Sequence, residues 1–202
     1  SFGRISRQVV MPVSVDLDHV GMIARSLADI RLVFEVMIEQ VDTFCQDPEV
    51  RSPHSSRPPQ LAWIKTPHWH HIEPVAQTRL QQMIDALSNA GADINAVELP
   101  PDCADFWDTT QTLCAYGLYQ HHGWLLENHG SLCSPNLQAW LKRGQQVDLF
   151  AYTAALHQQE QYRANIDTLF NDFDEVLTPV TTGPAPQGLE NNGSPLVCGL
   201  WT

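Results

Sequence analysis

The chain has 202 residues, 43% of them hydrophobic, and a net charge of −12. That apolar content is what a packed core needs, and it argues against a disordered chain. The acidic balance, with Lys65 and Lys142 as the only lysines, excludes the concentrated basic surface that nucleic-acid binding requires. No apolar run approaches the roughly 20 residues of a membrane span, so no membrane partner is expected. The five cysteines, Cys45, Cys103, Cys114, Cys133 and Cys198, form no C-x-x-C pair. Their odd number suits free thiols, which places the protein in a reducing, cytoplasmic setting. The first residues show neither the charged nor the apolar region of a targeting peptide.

In chain order, Val20, Ile23, Leu27, Ile30, Phe34, Met37 and Val41 recur at spacings of three and four. This is one apolar stripe on a helix running to about Val41. Asp18 stands where an N-cap would, and Gly21 is anomalous in a first turn. The segment 47–59, "DPEVRSPHSSRPP", reads as a surface loop or a seam within the fold. A buried strand, "QLAWIKT" from Gln60 to Thr66, comes next. The following helix has Pro74 near its start and Gly91 as its stop. With "DINAVELP" from Asp93 to Pro100 as the next strand, the order predicts a right-handed parallel crossover. The middle of the chain reads as helical: an aromatic-rich segment from Phe106 to Trp124, a short helix around Leu137 to Leu141, and a long one from Leu149 to about Phe170. "DEVLTPVTT", Asp174 to Thr182, is a third strand. The reading is one α/β domain over 1–202 with a helix-rich face.

His68, His70, His71 and Glu73 crowd into "PHWHHIEP", so a zinc site has to be weighed. They lie between a strand end and a helix start, with no second ligand cluster elsewhere, and an ordinary loop is the stronger reading. No metal and no cofactor is therefore expected. Ser55 and Ser56 are adjacent, but no glycine stands nearby to build an oxyanion hole, and Lys65 is the nearest lysine. Phe106, Trp107, Tyr116, Tyr119 and Trp124 suit either a pocket or helix packing, with packing favoured because large aromatics mostly fill cores. Residue types and spacing alone reach an acidic α/β domain and no reaction.

The opening as a whole is more specific. "SFGRISRQVVMPVSVDLDHVGMIARSLADIRLVFEVM" resembles the stretch after the catalytic serine of amidase signature enzymes, where "T-x-GR-x-S" leads to "S-x-D-x-x-G-P-x-AR-S-x-x-D". Gly3, Arg4 and Ser6 match the first pattern; Asp18, Gly21, Ala24, Arg25, Ser26 and Asp29 match the second. "PQLAWIKT", "LQQMIDALSNAGADINAVELP", "FNDFDEVLTPVTTGPAP" and "GSPLVCGLWT" are similar to later family segments in the family's order. Met22 departs from the usual proline and His19 from a common threonine. "TLCAYGLYQHHGW" stands where the family has an acidic "E-A" segment and a substrate-contacting helix.

The resemblance implies an α/β/α fold around a mixed central sheet, of which these residues are an incomplete, helix-rich part. It implies hydrolysis of a small carboxamide by a Ser–cis-Ser–Lys triad. The lysine and both serines belong to the family's N-terminal half, so the triad lies outside this chain, no catalytic residue is assigned within it, and the chain alone is expected to be inactive. Tyr116, Tyr119, His122 and Trp124 are the substrate-pocket walls the resemblance suggests. The A subunit of a tRNA-dependent amidotransferase ranks lower, because no arginine is evident to anchor a glutamine carboxylate. A non-catalytic binding or scaffold protein that has lost the triad is the third reading. A partial sheet leaves open edges and an exposed apolar face, which invites self-association such as a homodimer.

Overall fold

The computed structural model describes Gly3, residues 5–38 and residues 57–201. Most of the segment 47–59, read above as a loop or seam, and the serine pair Ser55–Ser56 lie outside the described residues. The elements are helix α1 (Leu27–Met37), strand β1 (Gln60–Ile64), helix α2 (Pro74–Asn89), strand β2 (Asp93–Val97), helices α3 (Phe106–His129), α4 (Pro135–Gln145) and α5 (Leu149–Asp167), and strand β3 (Glu175–Leu177). The chain divides into two compact units, one of 1–54 and 112–152 with residue 202, the other of 55–111 and 153–201. The division falls inside α3 and inside α5.

The second unit holds the sheet. Its order is β2-β1-β3, and both pairings are parallel. β1 is central and buried from Leu61 to Ile64, whereas β2 is half-exposed. The antiparallel members of a mixed sheet are not among these three strands. Two backbone bonds start the ladders: Asp93 N–H donates to Pro59 O at 2.9 Å and Asp174 N–H to Gln60 O at 2.8 Å. The Asp174 carboxylate returns the contact, accepting from Gln60 N–H at 2.8 Å and from Arg57 at 2.5 Å. These bonds favour its charged form and hold its carboxyl below the usual range.

The crossover helix α2 begins and ends on local chemistry. Pro74 occupies its first turn, where a missing N–H costs nothing. At the other end Gly91, at φ +101°, donates to Ser88 O at 3.0 Å, and Ala92 N–H reaches back to Leu87 O at 3.0 Å. This paired closure needs a left-handed residue, which is why glycine stands there. Cys103, Phe106 and Tyr162 form the core of this unit's helical part, with Leu99, Trp107 and Leu200 packed around them.

The first unit corrects one expectation. α1 begins at Leu27, not after Asp18, and its N-cap is Ser26, whose hydroxyl accepts from Asp29 N–H at 3.2 Å. Asp18 is already used: its carboxylate accepts from Val13 N–H at 2.8 Å and Ser14 N–H at 3.1 Å, closing the turn of residues 13–18. An acceptor turned back toward its own N-terminal side is not free to cap a helix on its other side. Residues 18–24 accordingly form no helix or strand, and Gly21 sits in them with open space around it. The apolar stripe is not buried among the described residues: α1 has no buried residue, Ile23, Leu27 and Met37 are exposed, and Val20, Ile30 and Phe34 are half-buried.

The rest of this unit packs α3 against α4. Ser14 Oγ, fully buried, donates to Leu113 O at 3.2 Å. α4 is capped by Ser134, whose hydroxyl accepts from Leu137 N–H, with Pro135 next.

Candidate functional site

In the second unit the carboxyl ends of the parallel strands form one edge. β1 lies between β2 and β3, so the connections on either side of it diverge at this edge, the place where ligands enter open parallel sheets. β1 runs out into the loop from Lys65 to Glu73, and β3 into the loop from Thr178 to Gly183. Glu73 N–H donates to Thr182 O at 2.7 Å and ties the two loops together.

Unused polar atoms gather on this part of the unit. Thr66 Oγ1, Thr178 Oγ1, His68 Nε2 and Trp201 Nε1 are all buried without a hydrogen-bond partner among the described residues. Buried polar atoms are rarely left unpaired, so such a set is either hydrated or meets a ligand. His68 packs edge-on against Phe106, ring centroids 5.3 Å apart. Gly199, two residues before Trp201, lies so close to the same ring that a Cβ on it would stand 3.5 Å away.

The histidine loop itself is a crowd of rings. His70 and His71 stand 4.1 Å apart, and His68 is 6.5 and 6.0 Å from them. Burial lowers the His68 pKa first, the charges of His71 and His70 lower it further, and Asp108 opposes them. Among the described residues no group of three or more His, Cys, Asp or Glu side chains is arranged to hold a metal ion. A pH dependence follows. Because the folded-state pKa lies below the unfolded value of about 6.5, the unfolded chain takes up this proton first. Stability contributed here is present above that value and is lost as pH falls through it. Urea unfolding at pH 7.5 and 5.5 is expected to show a smaller loss in His68→Gln than in the unsubstituted chain.

In the same unit a cleft of about 620 Å³ is lined by Trp63, Lys65, Pro67, Ala96, Val97, Glu98 and Leu99. Lys65 Nζ lies 5.0 Å over the Trp69 ring, and Trp69 meets Trp63 edge-to-face at 5.7 Å.

The aromatic and histidine residues suggested as pocket walls belong to the first unit, all on α3. Tyr116 stacks on Tyr152 with centroids 4.0 Å apart. Tyr119 lies beneath Gly123 and against Gly144. His122 Nε2 is 2.6 Å from Pro12 O. Trp124 is exposed, its ring edge-to-face with His129 at 5.8 Å. At 100° per residue Trp124 points about 160° away from His122. On that spacing Tyr116 and His122 stand about 120° apart with Tyr119 between them, and Trp124 lies about 80° from Tyr116 on its other side.

Tyr152 is the residue of this cluster that residue spacing did not single out. Its hydroxyl donates to Asp16 Oδ2 at 2.8 Å, which fastens the 13–18 turn to the start of α5. Burial, then the hydrogen bond to Asp16 and that residue's charge, push its pKa up to about 12. The raised value means its contribution is whole below the unfolded pKa of about 10 and disappears as pH rises toward 12. Tyr152→Phe is expected to lose about 1–2 kcal/mol at neutral pH, read by urea unfolding.

Sequence reasoning also missed Thr66, Thr178 and Trp201. The signal for the threonines was their place at the carboxyl ends of two predicted strands; nothing local marks Trp201.

Comparison with known proteins follows this geometry. Residues 1–200 match the family model for amidases. No curated protein sequence matches the chain. The solved structures it is similar to include a crystal structure of an amidase, at 20% identity, TM-score 0.80, covering 99% of this chain and 47% of that one. Another is 6-aminohexanoate cyclic dimer hydrolase complexed with substrate, at 21% identity, TM-score 0.67, covering 90% of this chain and 42% of the other. A third is the peptide amidase of Stenotrophomonas maltophilia, at 20% identity, TM-score 0.65, covering 98% and 48%. The chain spans about half the length of each of these structures. At such identities the structural likeness carries the fold, an α/β arrangement with a small parallel sheet and many helices. With residues 1–200 of this chain matched by the family model, the chain belongs to the amidase family.

Proposed function

We propose that this chain is the sheet-and-helix portion of an amide-bond hydrolase acting on a small carboxamide, with its Ser–cis-Ser–Lys triad outside these residues. The observation that carries the reading is the family match over 1–200, in register with a fold shared at a TM-score of 0.80. The relatives fit the chemistry: one cleaves a cyclic amide dimer and one is a peptide amidase by name. In such a hydrolase the nucleophile and its base come from one segment, and the remaining fold supplies walls and hydrogen-bond partners for the amide. Tyr116, Tyr119, His122 and Trp124 are the proposed walls. The unpartnered Thr66, His68, Thr178 and Trp201 atoms support a separate polar contribution from the second unit.

The test is turnover with and without a serine-directed fluorophosphonate. The 202-residue chain alone is expected to release no ammonia from small carboxamides and to take no label. Turnover and labelling are expected once a segment carrying the lysine and serine pair is joined to it. Labelled, inhibitable turnover by the chain alone would overturn the placement of the triad. Inactivity of the joined protein on every carboxamide, with the label still taken up, would overturn the substrate class.

A further inference from the structure

The cleft of the second unit that holds Lys65 presents a pair of opposite charges that do not neutralise each other. Lys65 and Glu98 each stand one residue past the last paired position of the parallel ladder, Ile64↔Val97. Neighbours at this register lie side by side on one face of a sheet, the distance at which Lys and Glu ordinarily pair. Here neither has a hydrogen-bond or ion-pair partner among the described residues. The ammonium of Lys65 instead leans over the Trp69 ring, 5.0 Å from its centroid. Trp69 is braced edge-on by Trp63, which is 8% exposed and forms part of the cleft wall. Pro67 and Ala96 line the cleft beside the two charges, and Val97 and Leu99, which alternate with Glu98 along the chain, complete its lining.

An exposed cation over an indole face and an exposed carboxylate past the end of the next strand, beside the buried Trp63, make a two-charge receptor. From this arrangement we infer that the cleft binds a free α-amino acid with an aromatic or large apolar side chain. The ligand's carboxylate meets Lys65, its ammonium meets Glu98, and its side chain lies against Trp63 and Pro67. The volume of about 620 Å³ lies within the range of small-molecule sites. A simple carboxylate or a simple amine meets only one of the two charges and forgoes the attraction of the other, which is the basis for discrimination.

The inference is independent of the amide chemistry and is tested by binding. L-phenylalanine is titrated into the full 202-residue chain and the tryptophan fluorescence is followed, with calorimetry as a second readout. Phenylacetate, phenethylamine and glycine serve as comparison ligands. Saturable binding of L-phenylalanine is expected, with each comparison ligand at least about tenfold weaker, the equivalent of one lost polar or apolar contact. Lys65→Met and Glu98→Gln are each expected to weaken binding by about tenfold or more while leaving the far-ultraviolet circular dichroism unchanged. No saturable signal up to about 10 mM, equal binding of phenylacetate or phenethylamine, or unaltered affinity in both substituted chains would each overturn it. Loss of fold in Lys65→Met shifts the decision to Glu98→Gln, whose site is exposed at the strand end.

Discussion

Phe106→Ala is expected to lower stability by about 3–5 kcal/mol, the range for removing a fully buried aromatic side chain. Phe106 is 1% exposed and joins Cys103 and Tyr162 in the core of the second unit, with Leu99, Trp107 and Leu200 around it. Its truncation leaves a cavity that helices pinned at both ends cannot close. Folded domains have only about 5–15 kcal/mol in hand, so the loss brings the chain close to unfolding. The check is the urea midpoint at constant m-value. The substitution has a second signature: His68 packs on the same ring, so its imidazole is expected to titrate closer to its ordinary value once that wall is gone. Phe106→Leu, which refills most of the volume, is expected to recover the greater part of both effects.

Gly144→Ala is the opposite kind of fault, overpacking. In an exposed helix this change gains about 0.5–1 kcal/mol through backbone entropy. At position 144 the sign reverses. A Cβ there would stand 2.0 Å from Ala115 O and 2.6 Å from Tyr119 Cβ. The first of these atoms is backbone in the middle of α3, so no side-chain rotation relieves it, and α4 has to move away from α3. Destabilisation of about 1–3 kcal/mol is expected. Gly130→Ala is the control, because a Cβ at Gly130 meets nothing within 4 Å, and it is expected to stay within about 0.5 kcal/mol. Thermal and urea unfolding of the two variants side by side read the difference. Equal stability would mean that α3 and α4 do not approach as closely as this.

The motifs that carried the family resemblance were legible because they are ordered along the chain, and the family match covers the same span. Local chemistry was equally plain in α2, where Pro74 and Gly91 mark the ends within a residue. At α1 the local signals competed. Ser26-x-x-Asp29 was a capping pattern in plain view, but the apolar stripe beginning at Val20 and the presence of Asp18 drew the predicted start eight residues too early. The stripe is a real feature of the sequence that this structure does not bury, so its periodicity said nothing about where the helix begins.

Sequence alone determined the elements, where most of them begin, the α/β class and the family, because caps, turns and periodicity act over a few neighbouring residues. Tertiary structure alone decided that β3 pairs with β1 across more than a hundred residues through Asp174 and Gln60. It also decided that Thr66 and Thr178 are buried without partners, that Tyr152 holds Asp16, and that Lys65 and Glu98 stand together unpaired. Each of these depends on strand order and register or on the crossing of helices. Such arrangements are selected by the burial of whole faces against one another, and no short window of sequence contains both partners.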